Sequence, residues 1–165
     1  MRGTRALHAG AVALAVGVAL AGALTGCGAT IPADPDGTLE EVTGGTLEVG
    51  VTANPPHTDT GGEQPTGTEP ALVTAFAASL GAEVEWTEAS EEQLVRMLES
   101  GELDLAIGGF SDETPWAGRV AVTRAYAEAE LADGSTAGLV MLAPMGENAF
   151  LSALERHLDE TAGGP

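Results

Sequence analysis

The chain has 165 residues, enough for one domain and a leader but short for two cores of ordinary size, which excludes a multidomain enzyme. Six Arg and no Lys stand against 25 Asp plus Glu, a formal charge of -19, so phosphate binding by a basic surface is excluded and with it the nucleic-acid-binding class. The 44% hydrophobic content, 23 Gly and 4% aromatics fit an Ala- and Val-rich α/β domain rather than a disordered acidic chain, while Cys27, His8, His57 and His157 form no zinc-type cluster and one cysteine allows no internal disulfide.

In chain order, Arg2 and Arg5 precede the apolar run 11–23, which ends at Leu24-Thr25-Gly26-Cys27. This is the pattern of a charged n-region, an h-region and a small-residue cleavage site, so residues 1–26 are expected to be an export signal. Thirteen apolar residues fall short of the roughly 18–20 that span a bilayer. Leu-Thr-Gly-Cys resembles the lipobox of bacterial lipoproteins, which implies that the Cys27 thiol carries a diacylglyceryl group and becomes the new N-terminus. Cleavage removes two Arg and no acid, leaving the exported chain still more acidic.

Residues 27–45, with Pro32, Pro35, Gly37, Gly44 and Gly45, have tether composition and no helical or alternating pattern. Asp34-Pro35-Asp36-Gly37 does not open a calcium loop, because Leu39 and Gly45 occupy the positions that need Gly and Glu.

The folded part is expected over 46–160, with a disordered tail over 161–165. Thr46 to Val51 alternates as a strand and ends in the loop Asn54-Pro55-Pro56-His57. Glu69-Pro70 opens a helix that runs to Leu80, with Leu72, Val73, Phe76 and Leu80 on one face and Gly81 as its stop. Ala82 to Trp86 reads as a strand, and Ser90 with Gln93 forms a capping box for a helix that stops at Gly101. Leu103 to Ile107 is an apolar buried strand closed by Gly108-Gly109. Ala137 to Ala143 reads as a further strand, and Glu147 to Leu158 as an amphipathic helix. The β-α-β-α-β alternation implies a parallel sheet with helices on both faces.

Three segments together, 47–56, Gly67-Thr68-Glu69 and Gly101-Glu102-Leu103-Asp104-Leu105-Ala106-Ile107-Gly108-Gly109, resemble the first lobe of bacterial extracellular solute-binding proteins of family 3, the amino-acid-type binding proteins of ABC importers. The likeness continues through Thr114-Pro115 to Thr123-Arg124-Ala125-Tyr126. It implies an α/β fold: a single three-layer periplasmic-binding-protein-like lobe with a mainly parallel sheet. A second lobe of comparable size needs ~100 residues, and only 39 follow Tyr126, so that lobe is expected to be absent and the first to be closed by the returning C-terminal segment.

The resemblance also nominates site residues. His57 falls where an aromatic ring often stacks on the ligand, although an exposed loop histidine is the plainer reading. Glu69 matches an acidic residue at the start of the first helix, where any carboxylate is favoured by the helix dipole. Gly109, Ser111 and Thr114 follow the third strand and offer N–H groups and hydroxyls at the start of a short helix, or simply cap a turn. Family members that bind amino acids hold the α-carboxylate with an Arg in the Thr-Pro-x-Arg segment; here that place is Trp116, either a pocket wall or a plug over the core, with Arg119 three residues on as the candidate replacement. Asp104 reads as a solvated or turn-proximal acid and not a catalytic base.

No nucleophile, metal or cofactor motif occurs in the sequence, so the expected role is capture without catalysis or cofactor. The expectation is a lipid-anchored protein on the extracytoplasmic face of the membrane that captures a small polar solute, neutral or cationic, beside a permease or sensor. The alternative is a lobe that has lost its ligand and serves as an interaction module there.

Overall fold

The computed structural model describes residues 34–130 and 134–162. The leader, Cys27 and residues 163–165 of the tail lie outside the described residues, whereas Thr161 and Ala162, expected in that tail, close and cap the last helix.

Period-two burial of the central strands builds the core. In β1 (Thr46–Val51), Leu47, Val49 and Val51 are buried on one face. In β3 (Leu105–Ser111), Leu105 and Ile107 share that face, while Ala106 and Phe110 join the opposite one. In β6 (Thr136–Ala143), Leu139, Met141 and Ala143 alternate in the same way with Val140 and Leu142. Strands apolar on both sides need cover on both sides. The first face is covered by α1 (Thr38–Val42), α2 (Thr68–Leu80) and α4 (Asn148–Thr161) through Val42, Val73, Phe76, Phe150, Leu154 and Leu158. The second is covered by α3 (Glu91–Ser100) through Leu94, Val95 and Leu98. Glycine at position 50 leaves room for the Leu94 and Leu103 side chains to pack on the sheet: a Cβ there would lie 2.5 and 2.6 Å from their carbons.

The sheet is open, in the order β2-β1-β3-β6-β4, where β2 is Glu83–Glu88 and β4 is Ala121–Val122. β1 pairs in parallel with both β2 and β3; β6 returns antiparallel to β3. The far edge of β6 pairs with β4 and then with β5 (Ala127–Glu130), in the register Glu130↔Thr136, so residues 131–135 alone link β5 to β6. This is the α/β lobe expected from the sequence.

Three local expectations need correction. Residues 34–45 are not tether: α1 is anchored by Val42, 1% exposed, and by long-range hydrogen bonds. The buried Glu147 carboxylate accepts from the N–H groups of Asp36 (3.0 Å) and Thr38 (3.1 Å). Asp34 accepts from the N–H groups of Leu39 (2.7 Å) and Phe150 (3.2 Å), stitching the N-termini of α1 and α4 together. Burial pushes the Glu147 pKa up, but these donors outweigh it and hold the carboxylate below its ordinary value. The glycine pair does not end β3; the strand bulges between Ala106 and Phe110 and runs on to Ser111. Residues 112–119 form hydrogen-bonded turns, with no helix starting at Thr114.

Candidate functional site

β1 lies between β2 and β3, with the chain passing to β2 on one side and then to β3 on the other. Ligands of open α/β sheets sit in the crevice beyond the carboxyl ends of strands at such a switch point, here β1 and β3. Asn54 begins the loop after β1: its N–H and C=O pair with Thr58 at 2.8 and 3.0 Å, and its carbonyl also accepts from the His57 N–H (3.0 Å). The loop returns to α2, where the Glu69 N–H donates to the His57 carbonyl (3.1 Å).

Glu69 is the hub of this end of the lobe and is 0% exposed. Its Oε2 accepts from Thr58 Oγ1 (2.6 Å) and from the Gly109 N–H (2.9 Å), and its Oε1 accepts from Tyr126 Oη (2.7 Å). One carboxylate therefore joins the β1 loop, α2, the β3 bulge and the approach to β5. Burial first, then the Glu69 charge and hydrogen bond, push the Tyr126 phenol far above its ordinary pKa, so Tyr126 remains a proton donor to Glu69. Gly109 has φ +70°, and a Cβ there would run into the Asn54 amide, whose Nδ2 lies 3.5 Å from the Gly109 carbonyl.

The structure thus brings together Glu69 and Gly109 among the nominated residues, and commits their polar atoms to each other. Thr58 and Asn54, which the sequence reading did not nominate, complete the cluster together with Tyr126. Nothing in the pattern around Thr58 marks it, whereas Tyr126 lies inside the segment carrying the family resemblance. His57 stands at the rim, its Nδ1 3.5 Å from Thr68 Oγ1. It lines an open apolar cavity of about 460 Å³ between α2 and β5, with Thr68, Leu72, Tyr126, Ala127 and Leu139 among its walls. Ser111 and Thr114 share a turn closed by the Thr114 N–H to the Ser111 carbonyl (2.9 Å), and the Thr114 hydroxyl oxygen lies 3.5 Å from the Trp116 N–H.

Trp116 and Arg119 belong to the other face. The half-buried indole packs on the α3 side of the core and donates from Nε1 to Glu91 (3.2 Å). Arg119 lies over the ring at 5.6 Å and donates from Nε to Glu99 on α3 (2.8 Å), with Nη2 meeting the second oxygen. Arg119 is therefore engaged by Glu99 of α3 in this structure. Arg96 is paired with Glu92, and Arg124 with Glu155 and Asp159. Asp104 is not simply solvated: Oδ2 accepts from the Glu48 N–H (2.9 Å), and burial raises its pKa against that bond, with Glu41 adding to the rise. Among the described residues no group of three or more His, Cys, Asp or Glu is placed to hold a metal ion, and no helix is long and apolar enough to cross a membrane.

The sequence profile of the bacterial extracellular solute-binding proteins, family 3, matches residues 47–161. The chain belongs to this family. No curated protein matches it significantly. Among solved structures, this family 3 chain is similar to the arginine-bound form of domain 1 from TmArgBP, at 24% identity and a TM-score of 0.64, over 73% of this chain and 97% of that one. It is also similar to the ancestral amino-acid-binding protein AncCDT-1, a precursor of cyclohexadienyl dehydratase (17% identity, TM-score 0.64, 76% of this chain and 94% of that one). A third likeness is to the Salmonella typhimurium periplasmic binding protein STM4351, whose structure is described as the basis for high arginine specificity (14% identity, TM-score 0.61, 73% of this chain and 94% of that one). At these identities the likenesses show the fold. The match to an isolated first domain, nearly end to end, agrees with the single α/β lobe that the described residues form.

Proposed function

We propose that the chain is a lipid-anchored, extracytoplasmic single-lobe binding protein that captures a small neutral or cationic polar solute beside a membrane permease or sensor, by binding and not by chemistry. The observation that carries this reading is the Glu69 hub, which holds the β1 loop and the β3 bulge in fixed geometry at the crevice where open α/β sheets take ligands. His57, Ser111 and Thr114 are the side chains left to meet a solute there. Three of the four described arginines are paired with carboxylates elsewhere, and the net charge of -19 disfavours anions.

One wall covers a solute from one side, whereas small-molecule sites bury roughly 70–90% of the ligand. Capture by the monomer is accordingly weak and tightens only against a second surface. Calorimetric titration of the Cys27→Ser chain, started at that residue, with arginine, other amino acids and polyamines tests this. The expected result is saturable binding with a dissociation constant above about 1 µM, that is, less than about 8 kcal/mol. Binding below that value by a monomer overturns the one-wall argument. No heat with any solute, from folded protein, favours the interaction-module alternative, which the commitment of Arg119 to α3 supports. Mass spectrometry of the membrane-bound N-terminus tests the anchor: a diacylglyceryl Cys27 is expected, and residues 1–26 still attached would refute it.

A further inference from the structure

The two edges of the sheet are built differently. On β2, Glu83, Glu85 and Glu88 face solvent while Val84 and Trp86 pack on the core, so large side chains fill the strand's own face. On β5, Glu128 and Glu130 face solvent in the same alternation, but the inward positions are Ala127 and Ala129. Alanine leaves room, and the largely apolar cavity of about 460 Å³ opens beside Ala127, with Glu128 at its rim, α2 and Ala162 as walls and Leu139 and Tyr126 as floor. β5 pairs with β6 alone, so among the described residues nothing pairs with its outer edge.

Glutamates on an edge strand commonly block self-association, and a second copy added antiparallel here would set Glu128 and Glu130 against like charges. The same charges suit a partner of opposite sign. A strand added to β5 would place residues opposite Ala127 and Ala129 on the apolar face, the one opposite Ala127 over the cavity, and those opposite Glu128 and Glu130 on the acidic face. We propose that the outer edge of β5 is a docking site for an extended, cationic segment of a partner protein, alternating apolar with Lys or Arg residues, which adds as a strand and seats its apolar side chains between α2 and β5. β2 alternates in the same way at Glu83 and Glu85 but borders only a small cavity of about 100 Å³, and it serves as an internal control. The proposal stands on the β5 edge and does not rest on solute capture at the crevice, although His57 borders both.

The test uses the full-length chain with Cys27→Ser and three fluorescent hexapeptides: alternating valine and lysine, the same composition with the lysines blocked together, and alternating valine and glutamate. Anisotropy should show saturable binding of the first, at least tenfold tighter than the second and roughly tenfold weaker in high salt. Amide shifts should concentrate at 127–130 and spare 83–88. The double variant Glu128→Lys/Glu130→Lys, both positions exposed, should lose tenfold or more for the valine–lysine peptide and gain affinity for the valine–glutamate one. Ala75→Phe, which fills the cavity from α2, should weaken the first peptide without reversing charge preference; circular dichroism checks that each variant is folded. Absence of binding, binding indifferent to the charge reversal, or equal shifts along β2 would overturn the proposal. So would a concentration-dependent dimer, by sedimentation, that occupies the β5 edge.

Discussion

Glu69 at the start of α2 and Tyr126 before β5, 57 positions apart, share a buried hydrogen bond of 2.7 Å. The carboxylate takes two further donors, so removing it strands three, of which the Thr58 hydroxyl and Tyr126 phenol lie in nearly inaccessible residues. Glu69→Ala is expected to cost on the order of 3 kcal/mol or more. Tyr126→Phe, which leaves Glu69 two donors, should cost about 1–2 kcal/mol. Urea denaturation of both variants measures the ordering; a Tyr126→Phe loss as large as that of Glu69→Ala would show that the hub is not the carboxylate.

Glu147→Gln should loosen α1. The Glu147 pKa is depressed in the fold, so its contribution is fully present above the unfolded value of about 4.3 and is lost as pH falls through the lower folded value. At pH 7 the variant is expected to be about 1–3 kcal/mol less stable. The difference should shrink below about pH 4, and protease sensitivity of the segment around α1 should rise at neutral pH.

Asp104→Asn should behave with the opposite sign. Its raised pKa means that the fold disfavours the charged form, a penalty present above the folded pKa and absent below the unfolded value of about 3.9. The amide oxygen can still accept from the Glu48 N–H. A gain of up to about 1 kcal/mol at pH 7 that fades as pH approaches 3 is expected in thermal or urea melts across pH.

Gly109→Ala should cost about 1–2 kcal/mol from its positive φ alone, with the Asn54 clash added. Hydrogen exchange should speed at position 109 and at Thr58 in this variant. Native-like stability with unchanged exchange would mean that the bulge tolerates a side chain.

The sequence by itself determined the elements whose signals are local. β1 begins and ends where its alternation does, and helices α2 and α3 stop at Gly81 and Gly101, both left-handed as a glycine stop requires. Family membership was legible too, because short motifs lying in order along 46–126 need no knowledge of contacts. Only the tertiary structure decided what depends on partners distant in the chain. α1 is five residues of weak pattern, stable because Glu147, 109 positions from Thr38, accepts its N–H groups. β4 and β5 are too short to announce themselves and exist because β6 offers an edge. Asp104 became half-buried beside β1, and Arg119 went to Glu99 on α3 rather than to the crevice, since an ion pair is chosen by geometry and not by spacing. Glu69 reads in sequence as an ordinary helix-start acid; folding alone brings Thr58, Gly109 and Tyr126 around it and makes it the joint of the site.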